Sequence, residues 1–393
     1  MKLKLLLVLC ITLSANAQGL SEILKALDAS QKVKSLQEKA YSDIASNEIQ
    51  SSYDAPELGL SVARAKDSMQ SGTEYGITLS QSITQPFASY TKEKTSEFLN
   101  NSIRQELKHT LHLLTLQTSL LYHNACVSQE VKEKATMLFN DQNKRFEQLQ
   151  KAYDLGEISR NNLLFNKLDL VKLKQKISAY EREYLVELSK LQESVDNILV
   201  EDLYCSDLLE IKREVKLSSI ENHNEIKNIS FLKDSSKTTY TLYDSMFQSI
   251  GYELGYDKEL DADIFTFGIS IPLDSLTAKN EKQKAKYLYQ TSFLETKKDV
   301  MVKEIQSKSK SLQLKLETLY DEYVLLSTEI LPLSDELLKL SASALREGES
   351  TAMEYLDASR SYSENILEVL EIKKNYYNEL FELYKVADIE LGE

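Results

Sequence analysis

Tryptophan is absent from the 393 residues, and proline (four), glycine (ten), histidine (four) and cysteine (three) are scarce. At an average usage of ~7%, roughly 27 glycines would be expected. So few breakers exclude an architecture of many short turns and leave long uninterrupted helices. No apolar run approaches the ~20 residues of a membrane-spanning helix, which excludes a polytopic helical membrane protein. P-loop and nucleophile-elbow motifs are missing and the Cys and His residues form no framework, so no enzyme, catalytic residue or cofactor is expected. Charge is what the chain does have. With 47 basic and 61 acidic residues the net charge is −14, which repels phosphate and argues against a nucleic-acid partner.

The first 17 residues read as a secretory signal peptide. Lys2 and Lys4 precede an apolar run from Leu5 to Leu13, and Ala15-Asn16-Ala17 supplies an A-x-A cleavage site before Gln18. Cys10 lies inside the apolar run, behind Leu9 where a small residue would be wanted, so it is not read as a lipidation site. An exported chain without a spanning helix can enter a membrane only through strands.

Breakers fall in two clusters: Pro56, Gly59, Gly72, Gly76 and Pro86, then Gly251, Gly255, Gly268 and Pro272. Gly156 and Gly348 stand alone, and Pro332 is the single breaker between Pro272 and Gly348. The plan is hairpin, long helix, turn, helix, and the same again. In the hairpins (about 56–86 and 247–273) large apolar residues alternate with small polar ones. Tyr75, Ile77, Leu79 and Ile83 oppose Gly76, Thr78, Ser80, Ser82 and Thr84; Phe265, Phe267, Ile269 and Ile271 oppose Thr266, Gly268 and Ser270. Leu58, Leu60 and Val62, and Ile250, Tyr252, Leu254 and Tyr256, form weaker partners. This fits transmembrane strands with lipid on one side and water on the other, although a half-buried soluble sheet shows the same alternation.

The helices carry heptads. Leu312, Leu316, Leu319, Tyr323, Leu326, Ile330, Leu333, Leu337, Leu340 and Ala344 form one series; Leu170 to Ile198 and Tyr362 to Ala387 form two more. Seams this long indicate coiled-coil packing. Pro332 should kink its helix or mark an irregularity. Residues 87–152 as one helix would run about 99 Å, which predicts an elongated object.

The two halves, 18–206 and 207–393, read as a degenerate repeat. Lys151 to Ser159 aligns with Ser343 to Thr351 at an offset of 192, and Glu57 to Leu60 with Glu253 to Tyr256 at 196. Each half is a helical lead-in (18–55, 207–245), a hairpin, a helix down, a glycine turn and a helix back. Four strands cannot close a barrel, and open edges in lipid cost several kcal/mol per unsatisfied backbone group. Spanning strands would therefore demand oligomers, and a trimer gives twelve strands.

This order of segments resembles the TolC-type outer-membrane efflux protein family. The resemblance is carried by Tyr153 to Ser159 and Leu345 to Thr351 at the helix turns, by Pro56-Glu57-Leu58-Gly59-Leu60, and by second strands ending at Pro86 and Pro272. It implies a fold that is mainly α with transmembrane β: a homotrimer whose long antiparallel coiled-coil helices form an α-barrel continued by a 12-strand β-barrel in outer-membrane lipid. It implies a passive exit duct of a tripartite efflux or type I secretion system, with a periplasmic adaptor docking on the turns and an inner-membrane transporter supplying energy. Adaptor docking would then fall on Leu155, Gly156 and Glu157 and on Glu347, Gly348 and Glu349. The constriction would fall on Glu354 and Asp357, six and nine residues after the second turn glycine. Their i, i+3 spacing puts both on one helix face, where threefold symmetry would make acidic rings. A solvated face of an acidic protein is the plainer reading of the pair, and glycine's freedom to reverse a helix is sufficient reason for Gly156 and Gly348. The family's basic residue two places after the second glycine is Ser350 here.

His109, His112, His123 and Cys126 share one helix, but roughly 16 Å separate His112 from His123, too far for one ion, and solvated or seam positions are expected. Cys126 and Cys205 face an oxidising compartment. Placed about 45 and 74 Å from the Gly156 turn along straight helices, they are expected to form no disulfide within a chain. Tyr53, Tyr75, Phe87, Tyr90, Tyr240, Tyr243 and Phe247 flank the strands as an interfacial girdle or as ordinary strand packing. A secreted coiled-coil or adhesin-like stalk, its hairpins serving as soluble caps, is the competing function.

Overall fold

The structure, a computed structural model, describes residues 18–66, 71–196, 203–273 and 276–391. The leader and Ile198 of the second seam lie outside the described residues. The order of elements is α1 (Leu20–Asp28), α2 (Gln31–Ser51), β1 (Glu57–Lys66), β2 (Ser71–Thr84), α3 (Pro86–Asp154), α4 (Arg160–Ser194), α5 (Asn224–Leu242), β3 (Ser249–Lys258), β4 (Asp263–Ser270), α6 (Ala278–Leu325), α7 (Leu331–Glu347) and α8 (Ala352–Ala387). Pro86 opens α3, where its missing N–H costs no hydrogen bond. No breaker follows it for 69 residues. No helix among the described residues is long and apolar enough to cross a membrane.

The chain folds as two compact units, each assembled from separate stretches of sequence. One comprises residues 35–110 and 219–305 and contains the sheet. Its strands pair antiparallel in the order β1-β2-β3-β4. The register sets apolar residues in rows across all four: Leu58, Leu79, Leu254 and Phe267 in one, Leu60, Ile77, Tyr256 and Phe265 in the next. The intervening rows are small or polar, as in Gly59, Thr78, Gly255 and Thr266. The helices of this unit meet through small polar side chains. Asn47 donates to Asn100 at 3.1 Å, Thr95 and Thr239 hydroxyls lie 3.3 Å apart, and Ser102 donates to Asn228.

The other unit takes residues up to 34, 111–218 and from 306 onward. One core cluster joins Ile23, Leu27 and Val33 to Tyr122 and Leu191; a second joins Leu116, Leu312 and Leu316 to Tyr376, Leu380 and Phe381. Each such side chain contributes about 1.5–3 kcal/mol by leaving water.

Pro332 leaves the expected irregularity. Residues Leu326–Ile330 form a π-helical turn directly before it, since proline has no N–H to donate and its ring crowds the preceding turn. The extra residue rotates the helix face by about 100°. Leu312, Leu316 and Leu326 are buried ahead of the turn, whereas Leu333, Leu337 and Leu340 are exposed beyond it. The inward positions there are Ser334 and Leu338, each one residue later than the sequence seam. A heptad series that is unbroken in sequence is thus split between two faces.

Two expectations are corrected. The second lead-in is not helical over 207–245: α5 starts only at Asn224, preceded by a single 3-10 turn at Ile220–Asn222. Residues 203–218 instead run as an irregular strap over the second unit. Cys126 and Cys205 do form a disulfide, with Cα atoms 5.6 Å apart. The straight-helix estimate failed because α4 stops at Ser194. The chain then doubles back, and Leu203 bridges to Gln18.

Candidate functional site

The two helix turns are built alike, 192 residues apart. At the first, Gly156 takes φ +81° and the Glu157 N–H reaches the Ala152 carbonyl at 2.9 Å. At the second, Gly348 takes φ +75° and the Glu349 N–H reaches the Ala344 carbonyl, also at 2.9 Å. A left-handed glycine with this bond satisfies the last carbonyls of one helix. Ser159 and Thr351 then cap the next, accepting from the backbone N–H of Asn162 and Glu354. A Cβ at either glycine would meet nothing within 4 Å, so the backbone conformation alone selects glycine. Leu155 is exposed at the first turn, and Glu157, Glu347 and Glu349 are exposed around the two.

Glu354 and Asp357 lie on the first turns of α8, along a concave surface shared with Leu337, Leu340, Ser350 and Ala358. Their surroundings differ. Glu354 closes a capping box, its Oε2 accepting from the Thr351 N–H at 2.8 Å and the Ser350 hydroxyl at 2.7 Å. Those bonds, the Thr351 N–H first, hold its carboxyl below the ordinary carboxylate pKa. Ser350, standing where a basic residue was expected, thus serves Glu354 directly. Asp357 is exposed and lies 3.4 Å from Arg360, whose guanidinium also meets Asp169 of α4 at 2.7 Å.

The histidines do not share one environment. His109 lies 3.9 Å from Glu225, and His112 lies 3.6 Å from Asp388. His123 is fully buried, neither solvated nor an ordinary seam residue. It receives the Leu209 N–H on Nε2 at 2.9 Å, so the proton sits on Nδ1, 2.7 Å from the Ser119 carbonyl. Burial lowers its pKa to about 4, with Lys373 acting in the same direction and the Ser119 carbonyl opposing. Around it the Tyr122 hydroxyl donates to the Tyr204 carbonyl and the Tyr377 hydroxyl to the Leu209 carbonyl. Tyr376 both accepts from the Lys212 N–H at 2.9 Å and donates to its carbonyl at 2.7 Å. Four aromatic side chains and the disulfide thus pin the strap. The signal that could have revealed this was the even pair of cysteines left in an exported chain, beside a tyrosine-rich last helix.

The sheet supplies the second surface of interest. Its apolar face is exposed along its length, from Leu60 and Val62 through Ile77 and Leu254 to Phe265 and Phe267. In the four-strand order, β1 and β4 each have a paired side and a free edge.

Neither a protein-family model nor a curated protein matches the sequence. Solved structures do match the fold. The chain is similar to CusC, described for its folding and transmembrane channel formation, at TM-score 0.80 and 12% identity over 94% of this chain and 91% of that one. The Campylobacter jejuni CmeC outer membrane channel gives TM-score 0.77 at 12% identity over 95% and 87%. The open state of the Neisseria gonorrhoeae MtrE outer membrane channel gives 0.79 at 15% over 94% and 88%. The fold is that of these channels, as the TolC-type resemblance in the sequence led one to expect.

Proposed function

We propose that the chain is a passive outer-membrane exit duct. Three copies join β1 of one to β4 of the next, closing a 12-strand barrel around small polar residues with the apolar rows in lipid. The helices continue the conduit in the periplasm, and the halves 18–206 and 207–393 act as paired repeats around it. A periplasmic adaptor meets the turns at Leu155-Gly156-Glu157 and Glu347-Gly348-Glu349, and an inner-membrane transporter drives export. Glu354 and Asp357 line the constriction that opens, and rings of these carboxylates favour cations. The observation that carries the reading is the sheet: one face continuously apolar and exposed, the other small and polar, with two free edges. Such a sheet is costly in water and, left open, costly in lipid; edge-to-edge closure between copies removes both costs.

The test is fractionation of the full-length protein followed by recording in a planar bilayer. Outer-membrane recovery that requires detergent, together with discrete steady conductance, is expected. A freely soluble protein without conductance would instead identify a stalk.

A further inference from the structure

Within the 111–218 and 306–391 unit, α3, α4 and α8 enclose a groove of about 580 Å³, a volume typical of small-ligand sites. Arg145, Lys172, Lys176 and Arg360 line it against Asp169 and Glu364, a positive balance within a chain of net charge −14. Asp169 is engaged by Arg360 at 2.7 Å. The Arg145 guanidinium lies 5.4 Å from the centre of the Tyr355 ring. Tyr355 is only 5% exposed, and its enclosed hydroxyl has no hydrogen-bond partner among the described residues. Arg145 and Ser359 are the polar groups around it. A buried donor left unpaired is costly and uncommon. The apolar part of the wall is Phe165, Leu168, Leu173 and Leu356.

We propose that this groove binds a small organic anion, a carboxylate on an aliphatic or aromatic stem. The carboxylate accepts the Tyr355 hydroxyl and takes the charge of Arg145, with Lys172 and Lys176 at the mouth. The stem lies against Phe165, Leu168 and Leu356. A charge-assisted bond to an enclosed hydroxyl is stronger than a neutral one, and the assignment is independent of whether the chain conducts.

The probe is octanoate, compared with octylammonium, which has the same stem and the opposite charge. Both are titrated by calorimetry into the full-length protein in lipid nanodiscs. Octanoate is expected to bind saturably in the millimolar range or below, at least about tenfold tighter than octylammonium. Tyr355→Phe keeps the ring and removes the unpaired hydroxyl. It is expected to melt at or above the wild-type temperature while binding octanoate about fivefold more weakly, a divergence that a purely structural tyrosine would not give. The double variant Lys172→Gln/Lys176→Gln, altered only at the mouth, should also bind more weakly. Equal binding of the two probes, no saturable octanoate binding, or full affinity in Tyr355→Phe would each overturn the assignment.

Discussion

His123 is the residue whose environment departs furthest from its sequence context. On a long helix in an acidic protein it reads as solvated, yet it accepts a backbone N–H inside an aromatic cage formed with Tyr377 and Phe381. Protonation would turn that acceptor into a donor facing a donor. Its folded pKa, about 4 against an ordinary 6.5, fixes the sign. Its contribution is complete above pH 6.5, declines as pH falls toward 4, and is gone below. The span corresponds to about 3 kcal/mol. His123→Gln, melted alongside wild type from pH 7 down to 4, should therefore show the smaller loss across that window. Parallel curves would mean that the imidazole does not titrate with unfolding. Glu354 and Gly348 were legible as special positions because turn chemistry is local; the cap and the left-handed conformation follow from neighbours within four residues.

At the level of elements, breakers located the helices and hairpins well. Pro86, Gly156, Pro332 and Gly348 each mark a boundary or irregularity that the structure contains. Their absence was a poorer guide. Residues 203–218 hold neither Gly nor Pro, yet they form the strap, because tyrosine hydroxyls and a histidine from α3 and α8 satisfy its backbone as a helix would. The Cys126–Cys205 bond closes a loop of sequence separation 79 and ties the strap to α3. Replacing both cysteines by alanine should cost about 2–5 kcal/mol. Amide exchange at Leu209 and Lys212 should rise before that of α3 or α8. Unchanged exchange at those two amides would show that the hydroxyl ladder suffices alone.

For the whole molecule, the decisive asymmetry is between the two faces of the sheet. Leu254 sits in the middle of an apolar row, with Leu79 and Phe267 beside it. If that row meets lipid, Leu254→Arg should cost about 2–4 kcal/mol of membrane stability and sharply reduce detergent-extractable protein. Thr266→Lys, on the other face, should insert normally and alter conductance. Equal insertion of the two variants would refute the assignment of faces. The period-two pattern made this asymmetry visible in the primary structure, and the duplicated order of segments made the architecture visible with it. Periodicity and punctuation are properties of neighbouring residues, so the chain by itself determined the helices, the hairpins, the turns and the amphipathic faces. Only the tertiary structure decided the disulfide, the pinned strap, the rotation of the leucine seam past the π turn and the groove around Tyr355. Each depends on where residues distant in sequence come to lie, and that is set by the packing of several elements rather than by the spacing within any one.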